Sequence, residues 1–104
     1  MRTVAETEVF RRYATKIWSD EELMEFISWI ARNPTAGDLI PGSGGCRKVR
    51  WPAKGQGKRG GARVVYFCAS NEIIWLLIAY SKAKLDTLSA TFLSELRKGI
   101  EDVL

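Results

Sequence analysis

Seven basic residues and no acid lie between Leu39 and Asn71: Arg47, Lys48, Arg50, Lys54, Lys58, Arg59 and Arg63. The rest of the 104-residue chain carries nine bases and twelve acids, so the net charge of +4 comes from this one segment. Counting from Gly37, eight of the nine glycines fall in or beside it. Positive charge concentrated on a glycine-punctuated backbone suits close approach of a polyphosphate. The chain has no histidine. The commonest acid–base group near neutral pH is therefore absent, and zinc sites built on cysteine and histidine are excluded.

Spacing organises these cations. Cys46 to Trp51 alternates as a strand does, sending Cys46, Lys48 and Arg50 to one face and Arg47, Val49 and Trp51 to the other. Ala62–Ala69 is rich in β-branched and aromatic residues and predicts a second strand. If the two pair, Arg63 joins Lys48 and Arg50, while Val64, Tyr66 and Cys68 point away. Three cations on one sheet face must be solvated or bound to an anion, because burying them unpaired is prohibitive. A solvated face is the plain alternative to a phosphate site. Lys82 follows Tyr80 at the end of an apolar run, a place where sheets often present functional groups. Lys54, Lys58 and Arg59 fall in a glycine-rich loop, 52–61, for which a solvated linker is the competing reading. The motif G-x-x-x-x-G-K-[ST] fails twice, at Pro52 and Arg59, and Gly42–Gly45 does not complete G-x-G-x-x-G.

The remaining chain predicts the elements that hold these strands. Thr7 is a suitable N-cap for a helix over 8–17, with Phe10, Tyr13, Ala14 and Ile17 on one face. Ser19 and Glu22 form a capping box, with Trp18 and Leu23 as a hydrophobic staple, and open a second helix over 20–32. Its apolar face is Leu23, Phe26, Ile27 and Ile30, and Asn33-Pro34 ends it. Thr3–Glu6 suits a short strand, 34–45 a loop, and Ser70-Asn71 a tight turn. Glu72–Tyr80 reads as a strand covered on both faces. Ser89 begins a C-terminal helix with Phe92, Leu93, Leu96, Ile100 and Val103 as its apolar face, and Gly99 weakens that helix.

This length supports one domain, residues 1–104, and the 46% apolar content suffices for one core. A basic chain points to a polyanionic partner, nucleic acid before a membrane surface, since no helix has a basic face opposite a Trp/Leu face. The longest apolar run, Ile73–Tyr80, is too short to span a bilayer. Cys46 and Cys68 form no C-x-x-C and read as two small buried thiols. No signal peptide is evident, which favours a reducing compartment.

The segments GSGGCRKVRW (42–51), GKRGGARVVYF (57–67) and LLIAYSKAKLDTLS (76–89) resemble the RelE/HigB-type toxins of bacterial type II toxin–antitoxin systems. NPTAGDLIPG (33–42) resembles the loop that follows the helical hairpin in that family. Ala62 stands where an aromatic is usual there, and no tyrosine or histidine follows Tyr80. The resemblance implies an α+β, RelE-like fold: a small antiparallel sheet with the N-terminal helical hairpin on one face and a C-terminal helix. It implies a cytoplasmic mRNA endonuclease acting in the decoding site of the ribosome, without metal or cofactor. It also implies a cognate antitoxin of helix-turn-helix type, through which operator DNA would be met only indirectly. In such a reaction the RNA 2′-hydroxyl attacks the adjacent phosphate and the 5′-oxygen leaves. Lys48, Arg50 and Arg63 would stabilise the charge that builds on the phosphoryl oxygens. Lys48 or Lys82 would serve as general base or acid, and Tyr80 would stack on a base or transfer a proton. Lys54, Lys58 and Arg59 would contact ribosomal or messenger phosphates. The alternatives are a non-catalytic RNA- or ribosome-binding module that blocks translation, and a purely protein-binding partner whose cations meet an acidic chain.

Overall fold

A computed structural model describes residues 2–53, 61–81 and 89–101. The elements run β1 (Thr3–Glu6), α1 (Glu8–Ile17), α2 (Asp20–Arg32), β2 (Asp38–Leu39), β3 (Arg47–Trp51), β4 (Ala62–Cys68), β5 (Ile73–Ser81) and α3 (Ala90–Glu101). The five strands form one sheet in the order β1-β5-β4-β3-β2. Four of them pair antiparallel, as expected, and β1 adds to the edge of β5 in parallel, so the sheet is mixed.

The helical hairpin forms where the caps predict it. The Thr7 hydroxyl accepts a hydrogen bond from the Phe10 N–H at 3.0 Å and itself donates to the Leu76 and Leu77 carbonyls, tying the start of α1 to β5. At α2, the Ser19 hydroxyl accepts from the Glu22 N–H and the Glu22 carboxylate accepts from the Ser19 N–H. Phe10, Ala14, Phe26 and Ile30 are fully buried against Val64, Tyr66, Ile74 and Leu76 of the sheet. Tyr13 was expected on this apolar face but is partly exposed. Trp18, Phe26, Trp29 and Trp51 form an aromatic cluster at one end of this layer. The Trp18 indole N–H donates to the Pro52 carbonyl at 2.9 Å and so fixes the chain as it leaves β3.

The opposite face carries a second core of Cys46, Val65, Leu77, Ile78, Tyr80 and Leu93, with Leu96 of α3 packed on it. A β-bulge makes this possible. Val65 pairs with Ile78 and Tyr66 with Leu76, so Leu77 has no partner in β4 and two consecutive β5 residues face the same way. The Ser89 hydroxyl caps α3 by accepting from the Phe92 N–H. Phe92 does not join the buried face and is partly exposed, whereas Leu93 is buried. Val103, the last residue of the expected apolar face, lies outside the described residues. Cys46 belongs to the α3 side and Cys68 packs on the hairpin side, so the sheet separates the two thiols. Both are free, and burial raises the pKa of each. No helix among the described residues is long and apolar enough to cross a membrane.

Tyr66 joins the sheet to the loop after α2. Its hydroxyl accepts from the Gly37 N–H at 2.9 Å and donates to the Pro34 carbonyl at 2.9 Å. The backbone comes so close here that a Cβ on Gly37 would lie 2.9 Å from the Tyr66 ring and from the Lys48 carbonyl oxygen. Burial pushes the Tyr66 hydroxyl above its ordinary pKa, against the opposing pull of the Gly37 hydrogen bond. The folded state therefore holds this proton more tightly than the unfolded chain does. That part of the stability is complete below about pH 10 and is lost as pH rises through the raised pKa. Tyr66→Phe should lose roughly 1–3 kcal/mol in urea unfolding at neutral pH, because it orphans a buried N–H. It should also show a shallower loss of stability above about pH 10. In α3, a Cβ on Gly99 would meet nothing within 4 Å. Gly99→Ala should therefore stabilise the protein by about 0.5–1 kcal/mol, read from the same denaturation curve.

Candidate functional site: a cationic face on the central strands

The β3–β4 register decides which cations meet. Arg50 pairs with Arg63, and Arg63 pairs in turn with Tyr80, so these three side chains form one row across β3, β4 and β5. Lys48 pairs with Val65, which pairs with Ile78, and lies one row along the same face. The predicted trio is therefore assembled on one side of the sheet. Arg47, Val49 and Trp51 point to the hairpin side, as the alternation required.

The members of the trio differ in setting. Lys48 and Arg50 are exposed, and neither side chain is in a hydrogen bond or ion pair among the described residues. Arg63 is 7% exposed, so the fully open site expected from sequence is corrected at this position. The reason is its strand: β4 has β3 on one side and β5 on the other, and a guanidinium rising from the middle of the sheet is walled by its neighbours. Its Nη1 donates at 3.2 Å to the carbonyl of Gly61, the residue just before β4. Tyr80 is 4% exposed and packs in the α3-side core, so its ring is not presented as an open stacking surface.

Lys82, Lys54, Lys58 and Arg59 lie outside the described residues. Among the described residues, Trp51, Ala62 and Ser81 align across the sheet next to the Arg50–Arg63–Tyr80 row.

Arg47, which sequence parity set apart from the trio, has a structural task. Its Nη1 donates to the Gly37 carbonyl at 2.7 Å, which pins the loop after α2 beside β3. Arg97 of α3 has a comparable one: Nε donates to the Gly44 carbonyl at 2.7 Å, and the guanidinium carbon lies 5.0 Å from the centre of the Phe67 ring.

Sequence reasoning missed one charged neighbour. β2 pairs with β3 so that Asp38 sits opposite Lys48, and both are exposed. The acid-free segment thus has a carboxylate at its border. No ion pair forms between the two, and Lys48 keeps its charge available to a ligand. A two-residue strand has no periodicity to read, so nothing short of the register could have placed Asp38 there.

The arrangement can hold and polarise a phosphodiester. The exposed Arg50 offers a planar donor fork that matches phosphate oxygens, Arg63 beside it adds positive charge from within the sheet, and Lys48 adds a compact charge one row away. Across residues 1–103 the chain matches the model of the family described as the RelE toxin of the RelE/RelB toxin–antitoxin system. With nearly the whole sequence matched, and an α+β fold consistent with that family, this protein belongs to the RelE toxin family, the toxin half of a toxin–antitoxin pair whose partner is a cognate antitoxin.

Proposed function

We propose that the protein is a ribosome-dependent mRNA endonuclease of the RelE/HigB kind, acting in the cytoplasm by cutting messages in the decoding site. The observation that carries this reading is the common face of Lys48, Arg50 and Arg63, with Arg50 and Arg63 directly opposed in register.

In this mechanism the messenger's 2′-hydroxyl attacks the adjacent phosphorus and the P–O5′ bond breaks. The products are a 2′,3′-cyclic phosphate and a 5′-hydroxyl. Negative charge grows on the non-bridging oxygens in the transition state, and fixed cations stabilise it without reorganising. Arg50 reaches the phosphate from solvent. Arg63, held by the Gly61 carbonyl, supplies a charge whose direction is fixed in advance. Lys48 either adds to that field or takes the 2′-hydroxyl proton. Lys82 is the other candidate for proton transfer. Tyr80 borders the row and would act by proton transfer rather than stacking, given its burial. Lys54, Lys58 and Arg59 extend the contact to further phosphates of messenger or ribosome. The antitoxin is of helix-turn-helix type, and operator DNA is reached through it. The competing reading is a module that occupies RNA or the ribosome without cutting. Primer extension separates the two, since only an endonuclease leaves discrete 5′ ends within codons.

Arg50→Ala should reduce cleavage of ribosome-bound mRNA by roughly 10²–10³-fold, the usual cost of one oriented charge-stabilising donor. Its melting curve should match the wild type, because the side chain is exposed. Arg63→Ala should likewise abolish growth arrest. Full toxicity of either folded variant would remove that residue from the mechanism. If about five cations touch single-stranded phosphates, the logarithm of RNA affinity should fall with the logarithm of salt concentration with a slope of about −3.5. A slope near zero in filter binding would contradict a phosphate-driven contact.

A further inference from the structure

The four antiparallel strands contain one carboxylate, Asp38 of β2. The backbone on either side of it is clamped. The Gly37 N–H donates to the Tyr66 hydroxyl at 2.9 Å, and the Gly37 carbonyl accepts from Arg47 Nη1 at 2.7 Å. Beyond Leu39, the Ile40 N–H donates to the Cys46 carbonyl at 2.9 Å. Both β2 residues are nonetheless exposed, so these contacts fix a stretch of chain that buries little of itself. The Asp38 side chain is in no hydrogen bond or ion pair among the described residues, although Lys48 stands directly opposite.

Residues paired across neighbouring strands point to the same side of a sheet. Asp38 therefore shares its face with Lys48, Arg50 and Arg63. It lies at the β2 edge of that face. Arg50 is its diagonal neighbour, about 7–8 Å away between Cβ atoms, and Arg63 and Tyr80 lie beyond Arg50 on β4 and β5.

We infer that Asp38 is a catalytic residue, the general base that takes the proton of the messenger's 2′-hydroxyl. This rests on the endonuclease reading above and deepens it, because Lys48, Arg50 and Arg63 then act as cations throughout. The chain has no histidine to serve as base. At neutral pH a free carboxylate accepts a proton as it stands, whereas a lysine must first lose one. A carboxylate whose task was to neutralise Lys48 would pair with it; this one keeps its oxygens open to a hydroxyl. The spacing suits the reaction. Attacking oxygen and phosphorus stand about 3–3.5 Å apart before attack, and a hydrogen bond from the hydroxyl to the base adds about 2.7 Å. A phosphate held by Arg50, with its 2′-oxygen turned toward β2, thus bridges most of the gap to Asp38. In-line displacement then sends the leaving oxygen the other way, toward β4 and β5. The 2′-oxygen bonds to phosphorus as its proton passes to the Asp38 carboxylate. The P–O5′ bond breaks, and the 5′-oxygen takes a proton from Tyr80 or Lys82. Asp38 afterwards returns its proton to water.

The test is single-turnover cleavage of mRNA on ribosomes by the wild type, Asp38→Asn, Lys48→Ala and the Asp38→Asn/Lys48→Ala double variant. Binding to the same complex, carrying a 2′-deoxynucleotide at the cleavage position, is measured alongside. Asp38→Asn keeps the shape of the side chain and removes its charge. It should lower the maximal rate at least 100-fold. Its affinity for the deoxy complex should be unchanged or tighter, because a negative charge facing phosphates has gone. In the Lys48→Ala background the same change should still cost at least tenfold. Cleavage within threefold of the wild type, or a rate loss matched by an equal loss of affinity, would overturn the inference. So would a loss that vanishes in the Lys48→Ala background, which would make Asp38 a group that only steers Lys48. Failure of the wild type itself to cut would instead refute the endonuclease reading. If Asp38→Asn melts below the assay temperature, Asp38→Ala is assayed with added formate, which stands in for the carboxylate: recovered cleavage upholds the inference, and its absence overturns it.

Discussion

Two arginines face each other across the antiparallel β3–β4 ladder, and that arrangement constrains much of the sheet. Like charges directly opposed destabilise a strand pair by roughly 0.2–1 kcal/mol. They persist because the other face of the same strands outweighs them. Val49 pairs with Val64, Trp51 with Ala62 and Arg47 with Tyr66, and the apolar members of these pairs pack with the helical hairpin. A slip of one residue would turn Val64 and Tyr66 outward and drive Arg63 into that core. Burial of one such large apolar side chain is worth about 1.5–3 kcal/mol, so the hydrophobic face wins and the cationic face follows from it. The juxtaposed charges are a consequence of packing.

The two faces of the sheet divide the work accordingly. On the hairpin side, aromatic and aliphatic packing fixes the backbone from which the cations rise, and it does so closest to them at Trp51 and Pro52. On the other side, α3 packs toward the far end. Cys46 Sγ lies 3.8 Å from the Leu93 carbonyl, and Arg97 bridges to Gly44 and Phe67. The rows therefore grade along the strands, from Cys46 and Phe67 near α3, through Lys48, Val65 and Ile78, to Arg50, Arg63 and Tyr80. Leu77, left unpaired by the bulge, thickens the apolar part of this face on the far side of Ile78 from the charged row.

Much of this was legible because short-range chemistry and parity agree with the tertiary outcome. The capping box at Ser19, the N-cap at Thr7 and the break at Pro34 set the hairpin at residues 8–17 and 20–32, the bounds the structure has. The alternation in 46–51 and 62–69 brought Lys48, Arg50 and Arg63 to one face. What escaped the reading depended on distant partners. β2 is two residues long and exists because Asp38 and Leu39 meet β3. The parallel pairing of β1 with β5 spans the helical hairpin and leaves no local mark. The burial of Arg63 is a property of the central position of β4 in the sheet. Glu72 adopts φ 67° in the turn before β5, where the Asn71 side chain accepts from the Ile73 N–H, and a turn signal at Ser70-Asn71 does not extend to that strained residue.

Family membership names the protein's class, but the sheet assigns its arginines. Arg47 and Arg50 are three residues apart on one strand and chemically identical, yet their surroundings give them opposite tasks. Arg47 faces the hairpin side and spends its donors on the Gly37 carbonyl at 2.7 Å, next to the Tyr66 hydroxyl that binds the same residue's N–H. Arg50 faces the other way, exposed and with no hydrogen-bond partner among the described residues. Arg47 is thereby committed to holding the loop, whereas the exposed guanidinium of Arg50 can form a charge-assisted pair with an anion. Arg63 stands between these extremes, buried like a structural arginine but on the exposed cation's face. The same residue type thus takes three settings on two adjacent strands, and the register with β3 and β5, not the local sequence, decides which.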